Sequence, residues 1–178
     1  MVENYFDIET TGTDPERDKV ICIQVQRLEG RTTLPIGEIR IFKEWESSEE
    51  EILKEILPYL LCENPFDFIM VGKNLLFDFN FINQRAMKYG IGTIGLDCIY
   101  NRAFIDLKHV LVLMNDGAFR GYNNLLKEGK YSNKEILDFY KQGKYNKIIE
   151  YVKEEAEIFR EAYLKIKKEL PSLKNIIK

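Results

Sequence analysis

The sequence predicts an α/β domain: a mixed sheet of about five strands, including a three-strand antiparallel meander, flanked by helices. Three observations carry this expectation. Strand-like runs joined by short turns fill residues 2–42. A helix, a short apolar strand and a second helix follow in residues 47–89. The remainder, after one more brief strand, has helical spacing. Strands first, then alternating elements, then helices is the order of a sheet covered by helices.

With 178 residues the chain is long enough to bury one substantial core, so a single domain spanning residues 1–178 is expected. Hydrophobic residues at 45% and charged residues at 31% fit an ordinary globular protein. No apolar run reaches the length of a membrane span, and the strand pattern starts at Val2, so neither an anchor nor a signal peptide is expected. Three widely spaced cysteines, Cys22, Cys62 and Cys98, and a single histidine, His109, argue against a zinc site. Reduced cysteine filling a core suggests the cytoplasm. The net charge of −3 speaks against a protein that coats nucleic acid electrostatically, but not against an enzyme that grips a short strand.

Each element has a local reason. Val2 to Ile8 is an apolar run that ends in a polar turn, Thr10 to Asp18, containing Gly12 and Pro15. Lys19 to Leu28 is rich in β-branched residues, and Glu29-Gly30-Arg31 supplies a hairpin connection. A third strand, roughly Thr32 to Phe42, is interrupted by Pro35 and Gly37 and reads as an edge or bulged strand. Ser47-Ser48 followed by Glu49-Glu50-Glu51 opens a helix. Ile52, Ile56, Leu57, Leu60 and Leu61 form its apolar stripe, which ends before Pro65. Phe66 to Gly72 reads as an interior strand, and Lys73 to Ile82 leaves it and opens a helix reaching about Tyr89. Gly90 to Gly95 reads as a loop, Ala103 to Leu107 as a brief strand, and 107–114 and 121–128 as short helical segments. Ser132-Asn133 opens a helix closed by Gly143, and a long helix runs from about Asn146 to Leu170.

Within this frame three groups of acids stand out. Asp7 and Glu9 lie two apart in the first strand, so both project from one face. Neighbouring carboxylates repel, and a shared cation relieves them; Tyr5, Phe6 and Ile8 place the pair in a buried strand rather than on a solvated edge. Asp78 lies among Phe77, Phe79, Phe81 and Ile82 at the start of a helix, where it reads equally as a site residue or an ordinary first-turn Asp. Asn74 precedes it in the strand-to-helix loop and could donate to a phosphate or base. Tyr151 and Glu155 share one face of the last helix, beside the stripe of Ile148, Val152 and Phe159. Read alone, Glu155 is a surface acid.

Taken together, the three segments resemble the DEDD 3′–5′ exonucleases, the proofreading family of RNase H-like fold. Asp7-x-Glu9-Thr10-Thr11-Gly12 resembles the family's first motif, and Asn74-x-x-Phe77-Asp78-x-x-Phe81-Ile82 the second. Tyr151-x-x-x-Glu155-Ala156 resembles the third in its tyrosine version, with Glu155 where the family has Asp. The neighbouring Glu154 is the alternative ligand.

The resemblance implies a hydrolase acting on phosphodiester bonds at single-stranded DNA or RNA 3′ ends, using two divalent ions, Mg²⁺ or Mn²⁺. It implies Asp7 as the ligand bridging both ions, Glu9 and Glu155 completing the water-activating side, and Asp78 holding the second ion. Tyr151 would orient the attacking water. Thr10, Thr11 and Gly12 would let the backbone approach the terminal nucleotide, and Asn74 and Phe77 would contact substrate. A role in DNA repair would require a polymerase or other repair partner. The longer Glu155 keeps open a catalytically impaired RNase H-like module that binds nucleic acid or a partner protein. Among other polar residues, His109 reads as a local partner of Asp106, and Lys141, Lys144 and Lys147 as a solvated face. Tyr122, Asn123 and Asn124 read as a polar-aromatic loop near the substrate strand.

Overall fold

A computed structural model describes residues 2–61, 68–119 and 131–169. Five strands, β1 (Glu3–Thr10), β2 (Val20–Leu28), β3 (Arg40–Lys43), β4 (Ile69–Gly72) and β5 (Phe104–Asp106), form one sheet in the order β3-β2-β1-β4-β5. β1, β2 and β3 make the expected antiparallel meander, while β4 runs parallel to β1 and β5 parallel to β4. Six α-helices belong to the described residues: α1 (Glu49–Leu60), α2 (Leu75–Tyr89), α3 (Leu96–Asn101), α4 (Leu107–Met114), α5 (Asn133–Lys141) and α6 (Tyr145–Glu169).

The third strand is shorter than its sequence suggests. Only Arg40–Lys43 pairs with β2, after an isolated bridge from Leu28 to Pro35. The residues before it turn instead, with Thr33 and Gly37 at positive φ, and a proline lacks the N–H a regular ladder needs. The six-residue helix α3 follows the Gly90–Gly95 loop where no element was expected. The segments read at 121–128 and at the start of the Phe66–Gly72 strand, with Tyr122, Asn123 and Asn124, lie outside the described residues.

Alternation along β1 divides the core. Phe6 and Ile8 face α1 and α2, packing with Ile52, Leu53, Phe79 and Ile82. Tyr5 faces the other way, onto Phe159, Tyr163 and Ala156 of α6. Asp7 and Glu9 continue the Tyr5 row, so the strand's own pleat carries both acids toward α6. Ser48 caps α1, accepting from the Glu51 N–H. α6 presents Ile148, Tyr151, Val152, Ala156 and Phe159 as its buried stripe.

Candidate active site

The site exists because β4 stops early. It pairs with β1 only from Glu3 opposite Ile69 to Tyr5 opposite Val71, and ends at Gly72. A Cβ on Gly72 would lie 2.7 Å from the Phe6 carbonyl oxygen, so only glycine lets the chain leave β1 this closely. Past that point the Ile8 N–H has no partner strand, and it donates to Asp78 Oδ1 at 3.1 Å. A side chain from the first turn of α2 thus finishes the ladder of β1, and this fixes Asp78 beside the two acids of the strand.

The loop from β4 to α2 is held by a second buried acid. Asp106, at the end of β5, accepts from the N–H groups of Asn74 (2.7 Å), Leu75 (3.0 Å) and Lys108 (2.9 Å). It thereby satisfies the starts of both α2 and α4. Asn74 adopts the left-handed conformation, φ 63° and ψ 37°, which asparagine tolerates. Its Oδ1 accepts from Lys108 Nζ at 2.8 Å. His109 Nδ1 stands 3.9 Å from Asp106 Oδ2, beyond hydrogen-bond distance, so capping rather than the histidine accounts for this aspartate.

Asp7, Glu9 and Glu155 converge, with one carboxylate oxygen from each within 4.8 Å of the others. They join Asp78, Lys73, Asn74 and Phe77 in lining a cavity of about 190 Å³. Glu155, not Glu154, joins the cluster. The added methylene of Glu155 is absorbed by the geometry, since its carboxylate reaches the strand acids from α6. Asp78 lies outside the group of three but on the same cavity, its Oδ1 occupied by Ile8.

These acids are short of donors. Asp7 Oδ2 accepts from Gln24 Nε2 at 2.6 Å, across the β1–β2 pair. Glu155 Oε2 and Gln24 Oε1 are buried without a hydrogen-bond partner among the described residues. Burial first, and then the charges of Glu155 and Asp78, hold the Asp7 carboxyl well above the ordinary carboxylate range. Burial followed by Glu155 and Asp7 does the same to Glu9. Asp78 is raised by burial, against the backbone hydrogen bonds it accepts. Glu155 is raised by burial despite the opposing charge of Lys73. Four carboxyl groups that cannot all ionise together form a site short of positive charge.

Tyr151 lies one turn before Glu155 and hydrogen-bonds to it. Burial, then the charges of Glu155, Glu9 and Asp7, push its phenol far above its ordinary range, so it stays a neutral donor. Thr10, Thr11 and Gly12 form the turn after β1. Thr10 Oγ1 donates to the Gly12 carbonyl at 2.6 Å, and Thr11 Oγ1 donates to Asp18 Oδ1 at 3.2 Å. A Cβ on Gly12 would meet the Asp18 carboxylate at 2.3 Å, so a larger residue here would displace the side chain that Thr11 holds. These three lie beyond the cavity lining, whereas Asn74 and Phe77 are part of it. Among the three lysines read as a solvated face, Lys147 keeps its side chain 41% exposed while donating to Tyr131 Oη at 2.8 Å and Glu150 at 3.2 Å.

Sequence reasoning missed Lys73, Gln24 and Asp106. Lys73 sat in view, next to Asn74 in the strand-to-helix loop. Gln24 is legible only once the register sets it opposite Asp7.

The sequence model of RNase_H_2, of the RNase_H superfamily, matches residues 4–128. Among curated proteins nothing matches. Among solved structures, E. coli exonuclease I in complex with a dT13 oligonucleotide is similar at a TM-score of 0.51 and 16% identity, covering 72% of this chain and 32% of that one. E. coli exonuclease I with a dA16 oligonucleotide aligns at a TM-score of 0.48 and 16% identity, with the same coverage of 72% and 32%. The chain therefore spans about a third of the exonuclease I chains it matches. At this identity the likeness is one of fold. The superfamily match, by contrast, takes in β1 with Asp7 and Glu9, the first turn of α2 with Asp78, and most of the chain's length, so the protein belongs to the RNase H superfamily.

Proposed function

We propose that the protein is a metal-dependent 3′–5′ exonuclease that hydrolyses phosphodiester bonds at single-stranded ends of DNA or RNA. The observation that carries this reading is the convergence of Asp7, Glu9 and Glu155 from the centre of the sheet and from α6, on a cavity shared with Asp78. The donor set suits hard divalent ions. The cavity offers carboxylate oxygens and no sulfur or imidazole, and one buried Glu155 oxygen has no donor among the described residues. Asp7, Glu9, Asp78 and Glu155 would hold two Mg²⁺ or Mn²⁺ ions. Such ions, when bound, supply an activated water and stabilise the charge that develops on the attacked phosphate.

The chain's own groups would do the rest. Tyr151, locked as a neutral donor, orients the water rather than deprotonating it. The Asn74 carboxamide presents its Nδ2 to the nucleotide, because Oδ1 is occupied by Lys108. Phe77 forms an apolar wall for a terminal base or sugar, and the Thr10–Gly12 turn brings backbone toward the terminal nucleotide. The dT13 strand bound to E. coli exonuclease I supports the single-stranded substrate. We read residues 1–178 as one exonuclease domain, working in the cytoplasm with a polymerase or other repair protein. No helix among the described residues is long and apolar enough to cross a membrane.

End-labelled single-stranded DNA and RNA, incubated with Mg²⁺ or Mn²⁺, test the activity. Stepwise shortening from the 3′ end, lost in Asp7→Ala, is expected. No product above that control would leave a catalytically impaired nucleic-acid-binding module.

A further inference from the structure

The cavity lining holds two opposite chemistries, and the proposed ions account for only one. Beside the four carboxyl groups lies the β4–α2 loop, where Lys73 and Asn74 form adjacent parts of the lining. Among the described residues that line the cavity, Lys73 is the only basic one. Lys73 is half-buried on that lining, and its charge opposes the rise of the Asp7 and Glu155 carboxyl groups. Beside it, Asn74 is held twice. Its N–H is bound to Asp106 at 2.7 Å, and its Oδ1 to Lys108 Nζ at 2.8 Å. A lysine can only donate, so Lys108 decides which end of the carboxamide it faces, and the Nδ2 donor is left on the other side. No protein acceptor holds that Nδ2 among the described residues. A point charge and an oriented N–H donor on adjacent residues, facing a site built to cleave a phosphodiester, match the non-bridging oxygens of a phosphate.

We propose that Lys73 and Asn74 Nδ2 form a phosphate-binding lip of the cavity, with Lys108 as the positioning residue that orients the asparagine. The ligand is one phosphodiester of the bound strand. The inference rests on the exonuclease reading, and it adds a specific anion contact to it. Such a contact is made equally in the ground and transition states, so its loss raises KM more than it lowers kcat.

The test uses the full chain and a 3′-terminal single-stranded oligonucleotide with Mg²⁺ or Mn²⁺. Lys73→Gln should raise KM by roughly tenfold with kcat changed less than about threefold, and Lys73→Arg should restore most of the affinity. Lys54→Gln, on the exposed face of α1, controls for loss of one positive charge and should leave KM unchanged. A scan of neutral methylphosphonates through the last three linkages should find one position at which wild type and Lys73→Gln become equal. Lys108→Met should raise KM in the wild type but add nothing in an Asn74→Ala background, whereas a merely structural lysine would lower stability in both.

If wild type is active and Lys73→Gln has wild-type KM, or its defect survives neutralisation of every linkage, the lip is wrong and the exonuclease reading stands. Additive effects of Lys108→Met and Asn74→Ala would remove Lys108 from the positioning role. If wild type shows no metal-dependent shortening, both readings fall together.

Discussion

Two sets of acids withdrawn wholly or partly from solvent have opposite surroundings in this protein. Glu49 is only 4% exposed, yet its carboxylate accepts from the Val20 N–H (2.7 Å), Arg85 Nε (2.8 Å) and Nη2 (2.6 Å), and Tyr89 Oη (2.8 Å). Asp106, also 4% exposed, accepts from three backbone N–H groups. Both are structural: one pins α2 to the start of β2 and α1, the other caps two helices. Asp7, Glu9 and Glu155 are gathered instead around one another, with Gln24 as the one side-chain amide donor to Asp7 and a Glu155 oxygen left without a donor among the described residues. Burial is therefore not the signal of a site. The deficit of donors is, because folding has brought these charges together without compensating them.

The difference can be broken from either side. Removing an acid from the satisfied set should cost the protein stability; removing one from the donor-poor set should not. Glu49→Ala leaves Arg85 buried without its partner and should cost about 3–5 kcal/mol in denaturant unfolding. Asp7→Ala should leave stability equal or higher, while the exonuclease rate falls by more than ~10²-fold, beyond what loss of an outer-shell partner of a metal site costs. A large loss of stability in Asp7→Ala would place it with the structural acids.

The pH dependence sharpens the same contrast. The raised carboxyl groups of Asp7, Glu9, Asp78 and Glu155 bind protons more tightly in the folded state than in the unfolded one, where ordinary values are 3.8 for Asp and 4.5 for Glu. Their contribution to stability is complete below those ordinary values and is lost as pH rises through the raised ones. Metal-free protein should lose stability across that rise, and Glu155→Gln should flatten the slope. Unchanged slope in the variant would show that the cluster carries no excess of negative charge.

Much of this was legible in the sequence, for physical reasons that differ from place to place. The pleat alone puts Asp7 and Glu9 on one face, and helical spacing alone puts Tyr151 and Glu155 together, so the contributing surfaces were readable before their meeting was. The third strand's antiparallel pairing at an edge was readable too, but its short extent was not, because Thr33 at positive φ turns the chain before Arg40 and a pattern of β-branched residues cannot register that. α3 escaped because six residues after a glycine-dense loop offer too short a window for periodicity. Gln24 and Asp106 escaped because their roles depend on register and on a contact across 31 and 32 residues of chain.

Smaller effects probe the edges of each set. Asp106→Asn should cost about 1–3 kcal/mol, since the amide keeps one accepting oxygen and sets an NH2 donor where the other accepted from a backbone N–H; equal stability would mean that water substitutes freely. Tyr151→Phe should lower the exonuclease rate by roughly tenfold, one hydrogen bond's worth, with metal affinity retained. Turnover equal to wild type would remove the phenol from the mechanism. Glu155→Asp should keep or raise activity, and its complete loss would mean that the α6 carboxylate needs the reach of the longer side chain.

The most direct measurement is the melting temperature of the protein as Mn²⁺ is titrated at neutral pH, in parallel for wild type, Asp7→Ala and Glu49→Gln. An ion that binds only the folded state raises it by mass action. The account predicts a saturable rise in wild type, none in Asp7→Ala, and a rise of wild-type size from a lower starting point in Glu49→Gln. A wild-type melting temperature indifferent to Mn²⁺, or a rise that survives in Asp7→Ala, would contradict it.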